Sequence, residues 1–185
     1  MVKQLFIEVE KRMKKAIQAT QHELATIRTA KATTSLLDGI KVEYYGTTVP
    51  INQVAVISVP EPRMLVVQPW EKGMIAEIEK ALLKSDLGLT PNNDGTVIRL
   101  PIPPLTQERR QELVKVVRRL AEEGRVAIRN IRREANEELR KAEKDGDLPQ
   151  DDSKRAQEHI QELTDKHIEV VNEVVEGKEQ EIMEI

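Results

Sequence analysis

The sequence predicts an α+β chain of two domains, a long antiparallel three-helix bundle with a small β/α/β domain inserted between its first and second helices. Three observations predict it. Long stretches near both ends carry apolar residues at alternating spacings of three and four, the seam of a packed helix. The stretch between them switches to short β-rich runs punctuated by Gly, Pro and Asn. Aromatics make up 2% of the 185 residues, so any core is built from Leu, Ile, Val, Ala and Met.

Residues 2–28 read as the first helix, with Phe6, Val9, Met13, Ile17, Thr20, Leu24 and Ile27 along one side. The insert follows. Residues 41-KVEYYGTTVPI-51 predict a hairpin around Gly46, 54-VAVISV-59 and 64-MLVVQP-69 two further strands, and 71–85 a short helix that buries Ile75, Ile78, Ala81 and Leu82. After the turn signal 91-PNNDG-95, residues 96-TVIRLPI-102 predict a last strand. Trp70 is expected to cap this domain's core. Residues 107–144 read as a second helix about 57 Å long, with Leu113, Val117, Leu120, Gly124, Ile128, Ile131 and Ala135 inward. Thr106 is its expected N-cap, with Glu108 in the first turn and Asp145-Gly146 as the stop. Residues 151–183 form the third, burying Ala156, Ile160, Leu163, His167, Val170, Val171 and Val174. Three such stripes must cover one another. The bundle is therefore expected over 1–29 and 106–185, and the insert over 30–105.

Both crossings between the domains are marked. The run 29-TAKATTS-35 is small and polar, and 101-PIPPLT-106 is proline-rich and semi-rigid. Together they predict a hinge through Thr29, Ala30 and Thr33 on one side and Pro101, Pro103, Pro104, Leu105 and Thr106 on the other. The plainer alternative is a pair of passive linkers.

The total charge of −3 hides an uneven distribution. Residues 1–29 hold six basic and three acidic groups, 30–105 seven and eight, 106–133 nine and four, and 134–185 seven and seventeen. The run 125-RVAIRNIRRE-134 alone has four arginines. On a helix with Arg118 at zero, Arg125 lies near about −20°, Arg129 near +20° and Arg132 near −40°. Arg133 and Lys115 fall near about +60° and Arg110 near −80°, while the apolar row centres near −120°. This predicts an exposed arginine stripe beside the core seam. Glu122 can reach Arg118 and Arg125, and nothing comparable is expected to serve Arg129 or Arg132. Guanidinium forks arranged this way suit phosphate oxygens. The stripe has no aromatic platform for stacking single-stranded bases, so the backbone of a folded RNA fits it better. A helical adaptor that holds an acidic protein partner, without RNA, is the competing expectation.

Other chemistry finds little support. Without cysteine there is no disulfide, thiol nucleophile or Cys-ligated metal. His22, His159 and His167 are scattered, and His167 is expected to be a satisfied core residue. No phosphate-binding glycine loop or nucleophile elbow occurs, and Glu77 and Glu79 need no catalytic role. The N-terminal MVKQLFIEVEKRMKK is too charged for a signal peptide or a membrane span. The expectation is a cytoplasmic protein that is not an enzyme and holds no cofactor or metal.

Certain stretches are recognisable: 27-IRTAKA-32, 42-VEYYGTTVPINQ-53, 85-SDLGLTPNNDGTVIRLPIPPLTQERR-110, 121-AEEGRVAIRNIRRE-134 and 161-QELTDKHIEVVNEVVEGKEQEIMEI-185. On these the chain resembles the bacterial ribosome recycling factors along nearly its whole length. The resemblance implies an L-shaped, monomeric molecule of transfer-RNA proportions. It implies binding to the 70S post-termination ribosome and subunit splitting with elongation factor G, which itself binds and hydrolyses the GTP. It also implies that Arg129, Arg132, Arg133 and Arg28, together with Arg110 and Arg125, meet large-subunit 23S rRNA. Where the family usually reads RTGRA this chain has RTAKA, so Ala30 replaces a hinge glycine and Lys31 an rRNA-contacting arginine.

Overall fold

The computed structural model describes residues 1–184. The predicted bundle boundary at residue 185 lies outside them. The chain separates into two compact units, Met1–Arg28 with Thr106–Glu184, and Thr29–Leu105.

The first unit holds three helices: α1 over Val2–Ala25, α3 over Gln107–Lys144 and α4 over Gln150–Glu184. Helix α2, Ile75–Lys84, belongs to the second unit. In the bundle α3 packs on both α1 and α4, which also meet each other. Val9, Met13, Ile17 and Leu24 of α1 close on Val117, Ile128 and Leu139 of α3 and on Ile160, Val171 and Ile182 of α4, all buried. Helix α1 stops three residues short of the predicted end. The Thr26 hydroxyl turns back to donate to the Glu23 carbonyl at 2.6 Å. The amides of Thr26 and Ile27 reach only three residues back, which tightens the last turn and leaves Ile27 half-buried.

The bounds of α3 agree with the periodicity. Thr106 caps it, its hydroxyl accepting from the Arg109 amide at 3.1 Å. Gly146, at φ +84°, ends it in the left-handed region. The inward row differs at one place: Ala121 is fully buried while Leu120 is half-buried. Gly124 is inward for a steric reason. A Cβ built there would stand 2.3 Å from the Thr20 hydroxyl oxygen of α1. In α4 the buried residue is Val175, with Val170 and Val174 half-buried. Buried His167 is satisfied, its Nδ1 lying 2.6 Å from the Leu163 carbonyl.

The second unit begins with a hairpin, β1 (Lys41–Tyr44) and β2 (Thr47–Pro50). Its two-residue turn has Tyr45 at φ +45° and Gly46 at +81°. A right-twisting hairpin prefers such a turn, but the first place normally goes to Asn, Asp or Gly. A four-stranded antiparallel sheet follows in the order β3-β4-β6-β5, with β3 at Ala55–Glu61, β4 at Met64–Pro69, β5 at Asn92–Asn93 and β6 at Ile98–Pro101. Strand β3 runs past its predicted end, through Pro60, and the register with β4 shifts between Ser58 and Glu61. A proline has no amide for the ladder, so an irregularity is expected there. Leu65 and Val67 of β4, Ile98 and Leu100 of β6 and Ile78 and Leu82 of α2 share one core with Leu37 and Val42. Met74 ends a short 3-10 turn before α2 and is buried, whereas the predicted Ile75 and Ala81 are half-buried.

Two sets of hydrogen bonds tie down the connections of this unit. The β3–β4 turn holds the incoming and outgoing chain alike. The Pro62 carbonyl accepts from the Ala32 amide at 2.7 Å, and the Arg63 carbonyl accepts from the Ile102 amide at 2.8 Å. Farther along, the Asp94 carboxylate accepts from the amides of Thr96 and Val97 and pairs with Arg99. These bonds hold Thr96 and Val97 out of the predicted strand and create the unpredicted β5. They also hold the Asp94 carboxyl down at about 2, the Val97 and Thr96 amides contributing most. A depressed carboxyl stabilises the fold above its unfolded pKa near 3.8 and loses that contribution as pH falls through about 2. In an acid titration followed by NMR, the Thr96 and Val97 amides are expected to move together with a midpoint near about 2, and Asp94→Asn should abolish the transition.

Candidate nucleic-acid interface

The stripe on α3 is present, but it is not the bare row the spacing predicts. Arg118 lies on the surface, and its Nε donates to Glu179 of α4 at 3.0 Å instead of pairing with Glu122. Arg125 is half-buried, its side chain 23% exposed, and donates to Asn172 at 2.9 Å and to Glu122 at 3.3 Å. Arg129, expected to have no acid, donates to the other oxygen of Glu122 at 3.0 Å. Glu122 stands near about +40° on the helical wheel, beside Arg129 near +20° and two turns away, so the long side chains bridge the gap. Hydrogen bonds from Arg129 and then Arg125 hold the Glu122 carboxyl below its usual range. Among the described residues half-buried Arg132 has only the neutral Gln161, at 3.2 Å. Arg133 is exposed and makes no hydrogen bond or ion pair among the described residues. Glu134 next to it is drawn to Arg12 of α1, 2.7 Å away.

Five arginines thus face two carboxylates, Glu122 and Glu179, and the stripe keeps a positive excess. Exposed ion pairs of this kind are weak and are screened by salt, so a phosphate can displace the carboxylate. The same contacts hold the guanidinium groups in defined positions. The surface therefore suits several phosphate oxygens presented at fixed spacing.

The remaining predicted residues fall elsewhere. Arg110 is largely committed inside the bundle, donating to the carbonyls of Ile182 and Met183 at 2.8 and 2.7 Å. It satisfies the open C-terminal carbonyls of α4, a role that spacing along α3 does not foretell. Arg28 and Lys31 are exposed, Arg28 ending the first unit and Lys31 lying in the second. Of the predicted hinge, Ala30 is buried, Pro101 pairs with Met64 inside the sheet and Thr106 caps α3. Thr33 is exposed and meets Ser35 through its hydroxyl at 2.8 Å, while Thr29 is half-buried and its hydroxyl faces the Lys31 amide at 3.5 Å. Pro103 and Pro104 are exposed and Leu105 half-buried. Sequence reasoning missed Arg140, exposed and without a partner among the described residues. It stands near about +40° on the same wheel, so the signal was available.

The expectation for Trp70 fails. It is 63% exposed and does not cap the core, because β4 carries it one residue past the last inward side chain, Pro69. Among the described residues no group of three or more His, Cys, Asp or Glu is arranged to hold a metal, and no helix is long and apolar enough to cross a membrane.

Comparison with known proteins covers the whole chain. The sequence profile described as ribosome recycling factor matches residues 20–183. A protein named ribosome-recycling factor from Carboxydothermus hydrogenoformans is 57% identical over 100% of both chains. One of the same name from Desulforamulus reducens is 56% identical, again over 100% of each. A solution structure of a ribosome recycling factor aligns with a TM-score of 0.70 at 46% identity, covering 100% of this chain and 98% of the other. Another similar structure, at TM-score 0.62 and 49% identity over 99% of both chains, is the Thermus thermophilus ribosome recycling factor in a description that places it and Escherichia coli elongation factor G on the E. coli post-termination complex.

Proposed function

Since the chain belongs to the ribosome recycling factor family, we propose that it binds the post-termination ribosome and, with elongation factor G and GTP, splits it into subunits for another round of synthesis. It is a translation factor. The observation that carries the reading is the α3 stripe, where Arg129, Arg132 and Arg133 keep a positive excess facing solvent. In the proposed mechanism these arginines, with Arg28 and Arg125, anchor the bundle on 23S rRNA by charge and guanidinium geometry, and Lys31 adds a cation from the small unit. The elongation factor binds and spends the nucleotide, and this chain needs no cofactor and performs no catalysis. The GTPase drives the small unit about the two crossings, and the bundle transmits that motion to the bridges between subunits. The chain acts as a monomer in the cytoplasm.

Light scattering tests the reading. Mixing the chain with post-termination ribosomes, elongation factor G and GTP should lower the scattered intensity as subunits part, and omitting any component should abolish the change. A chain that leaves the intensity unchanged with the elongation factor of its own source overturns the proposal. Large-subunit binding should also weaken linearly on a logarithmic salt axis, as counterion release requires. Arg133→Ala, which removes an unpartnered cation, is expected to reduce that slope by about one. An unchanged slope removes Arg133 from the interface.

A further inference from the structure

Three Asp-Gly pairs occur in the chain, at 38–39, 94–95 and 145–146. This dipeptide has a chemistry of its own. The glycine amide nitrogen attacks the aspartate Cγ, expels water and closes a succinimide ring, because glycine puts no Cβ in the way. Water then opens the ring at either carbonyl. One opening returns aspartate, and the other leaves an isoaspartate whose main chain runs through the former side chain. Atoms balance without an oxidant or a cofactor. The reaction needs a carboxyl group that is open to approach and a peptide that is free to turn.

The structure treats the three pairs differently. At 94–95 both reactants are held. The Asp94 carboxylate accepts from the Thr96 and Val97 amides and pairs with Arg99, and the Gly95 amide donates to the Asn93 Oδ1 at 2.7 Å. At 145–146 the peptide is held. Asp145 is helical, at φ −77° and ψ −5°, and the amides of Asp145, Gly146 and Asp147 donate to the carbonyls of Lys141, Glu143 and Ala142. Asp38-Gly39 has neither restraint. Both residues are exposed, and among the described residues the Asp38 carboxylate and the Gly39 amide have no hydrogen-bond partner.

The backbone at 38–39 also suits the reaction. Asp38, at φ −62° and ψ 138°, and Gly39, at φ +84°, are the central residues of a type II turn that the Ile40 amide closes on the Leu37 carbonyl at 3.2 Å. The peptide between them takes no part in that bond. Glycine accepts either sign of φ, so this peptide turns over toward the type I form while the turn stays closed. Rotation through the extended range of ψ carries the Gly39 nitrogen past the Asp38 Cγ.

We propose that Asp38 is a site of spontaneous isoaspartate formation in the folded protein, while Asp94 and Asp145 are protected. The product adds a carbon to the main chain between two anchors of the small unit. Leu37 lies in its core, and the Ile40 carbonyl accepts from the Ile51 amide at 3.0 Å. The lesion therefore loosens the entry to the first hairpin. It also makes the aged chain a substrate for the class of carboxyl methyltransferase that recognises isoaspartate.

The test is to hold the full-length folded chain at neutral pH for several weeks and then digest it. Trypsin puts the three pairs on separate peptides, 32–41, 85–99 and 145–154. The 32–41 peptide is expected to gain a second chromatographic form of unchanged mass that accepts a methyl group from an isoaspartate-specific methyltransferase. It should accumulate about tenfold faster, or more, than any such form of the other two, whose hydrogen bonds must open first. In urea, where the turn and those bonds are lost, the three pairs should convert at comparable rates. Asp38→Glu, whose extra methylene disfavours the ring, should melt as the parent does and abolish the methyl-accepting form. Folded-state conversion at 94 or 145 that keeps pace with 38 overturns the proposal. So does a 32–41 peptide left unmodified by the folded incubation.

Discussion

Arg132→Ala is expected to weaken binding to the large subunit by ten- to a hundredfold at moderate salt while the melting curve stays in place. The structure separates the two effects. Among the described residues the Arg132 guanidinium has one neutral partner, Gln161, and no ion pair, so in the free protein it contributes little to folding. Surface substitutions of this kind commonly change stability within about 0.5 kcal/mol. Against phosphate the same group makes charge-assisted hydrogen bonds worth about 1.5–3 kcal/mol, a factor of roughly ten to a hundred or more in affinity. Arg125 makes the contrast. It binds both Asn172 of α4 and Glu122, so Arg125→Ala should cost stability as well as affinity. Binding isotherms beside urea melts of both variants decide the matter. If Arg132→Ala unfolds the bundle more readily and binds as the parent does, the residue is structural and the anchor lies elsewhere.

Gly124→Ala is expected to destabilise the bundle by about 1–3 kcal/mol, the usual cost of overpacking a filled core. In an isolated helix the same change would help by roughly 1 kcal/mol, because glycine is the poorer helix former. Contact reverses the sign. The new methyl would lie 2.3 Å from the Thr20 hydroxyl oxygen. That oxygen is committed to the Ala16 carbonyl at 3.0 Å, on a residue that is itself buried. Thr20 must rotate and break its bond, or α1 and α3 must part. Replacing Thr20 by alanine removes the clashing oxygen, so the Thr20→Ala, Gly124→Ala pair should recover most of the loss. A double-mutant cycle in urea measures the coupling. Simple additivity would mean that the helices are not in tight contact at this point.

Much of this architecture was legible because helical periodicity is redundant. The 38 residues of α3 repeat their apolar spacing often enough that both ends and the cap could be read directly. Slips appeared where a neighbouring element chose between adjacent residues, as with Ala121 for Leu120 and Val175 for Val174. The site was legible at the level of which helix and which face. Its ion pairs were less so, because they depend on other helices. Glu179 and Asn172 come to the stripe from α4, and sequence spacing along α3 cannot register them. Glu122 was a different kind of miss, since its angle was computable and only the reach of two long side chains was undervalued. Trp70 was misjudged for its size. A large ring beside a buried strand suggests a lid, but strand alternation turns it outward after Pro69.

The β3–β4 turn has a consequence for how the crossings can vary. It grips Ala32 and Ile102 by main-chain carbonyls, so those residues travel with the sheet. The proposed hinge is thereby confined to 29–31 and 103–105. Because the grip uses no side chain, swapping residues at 62 or 63 leaves it intact. Adding or deleting one residue in either tether instead changes its reach by up to about 3.5 Å. For the proposed hinge, the number of links counts for more than their chemical identity.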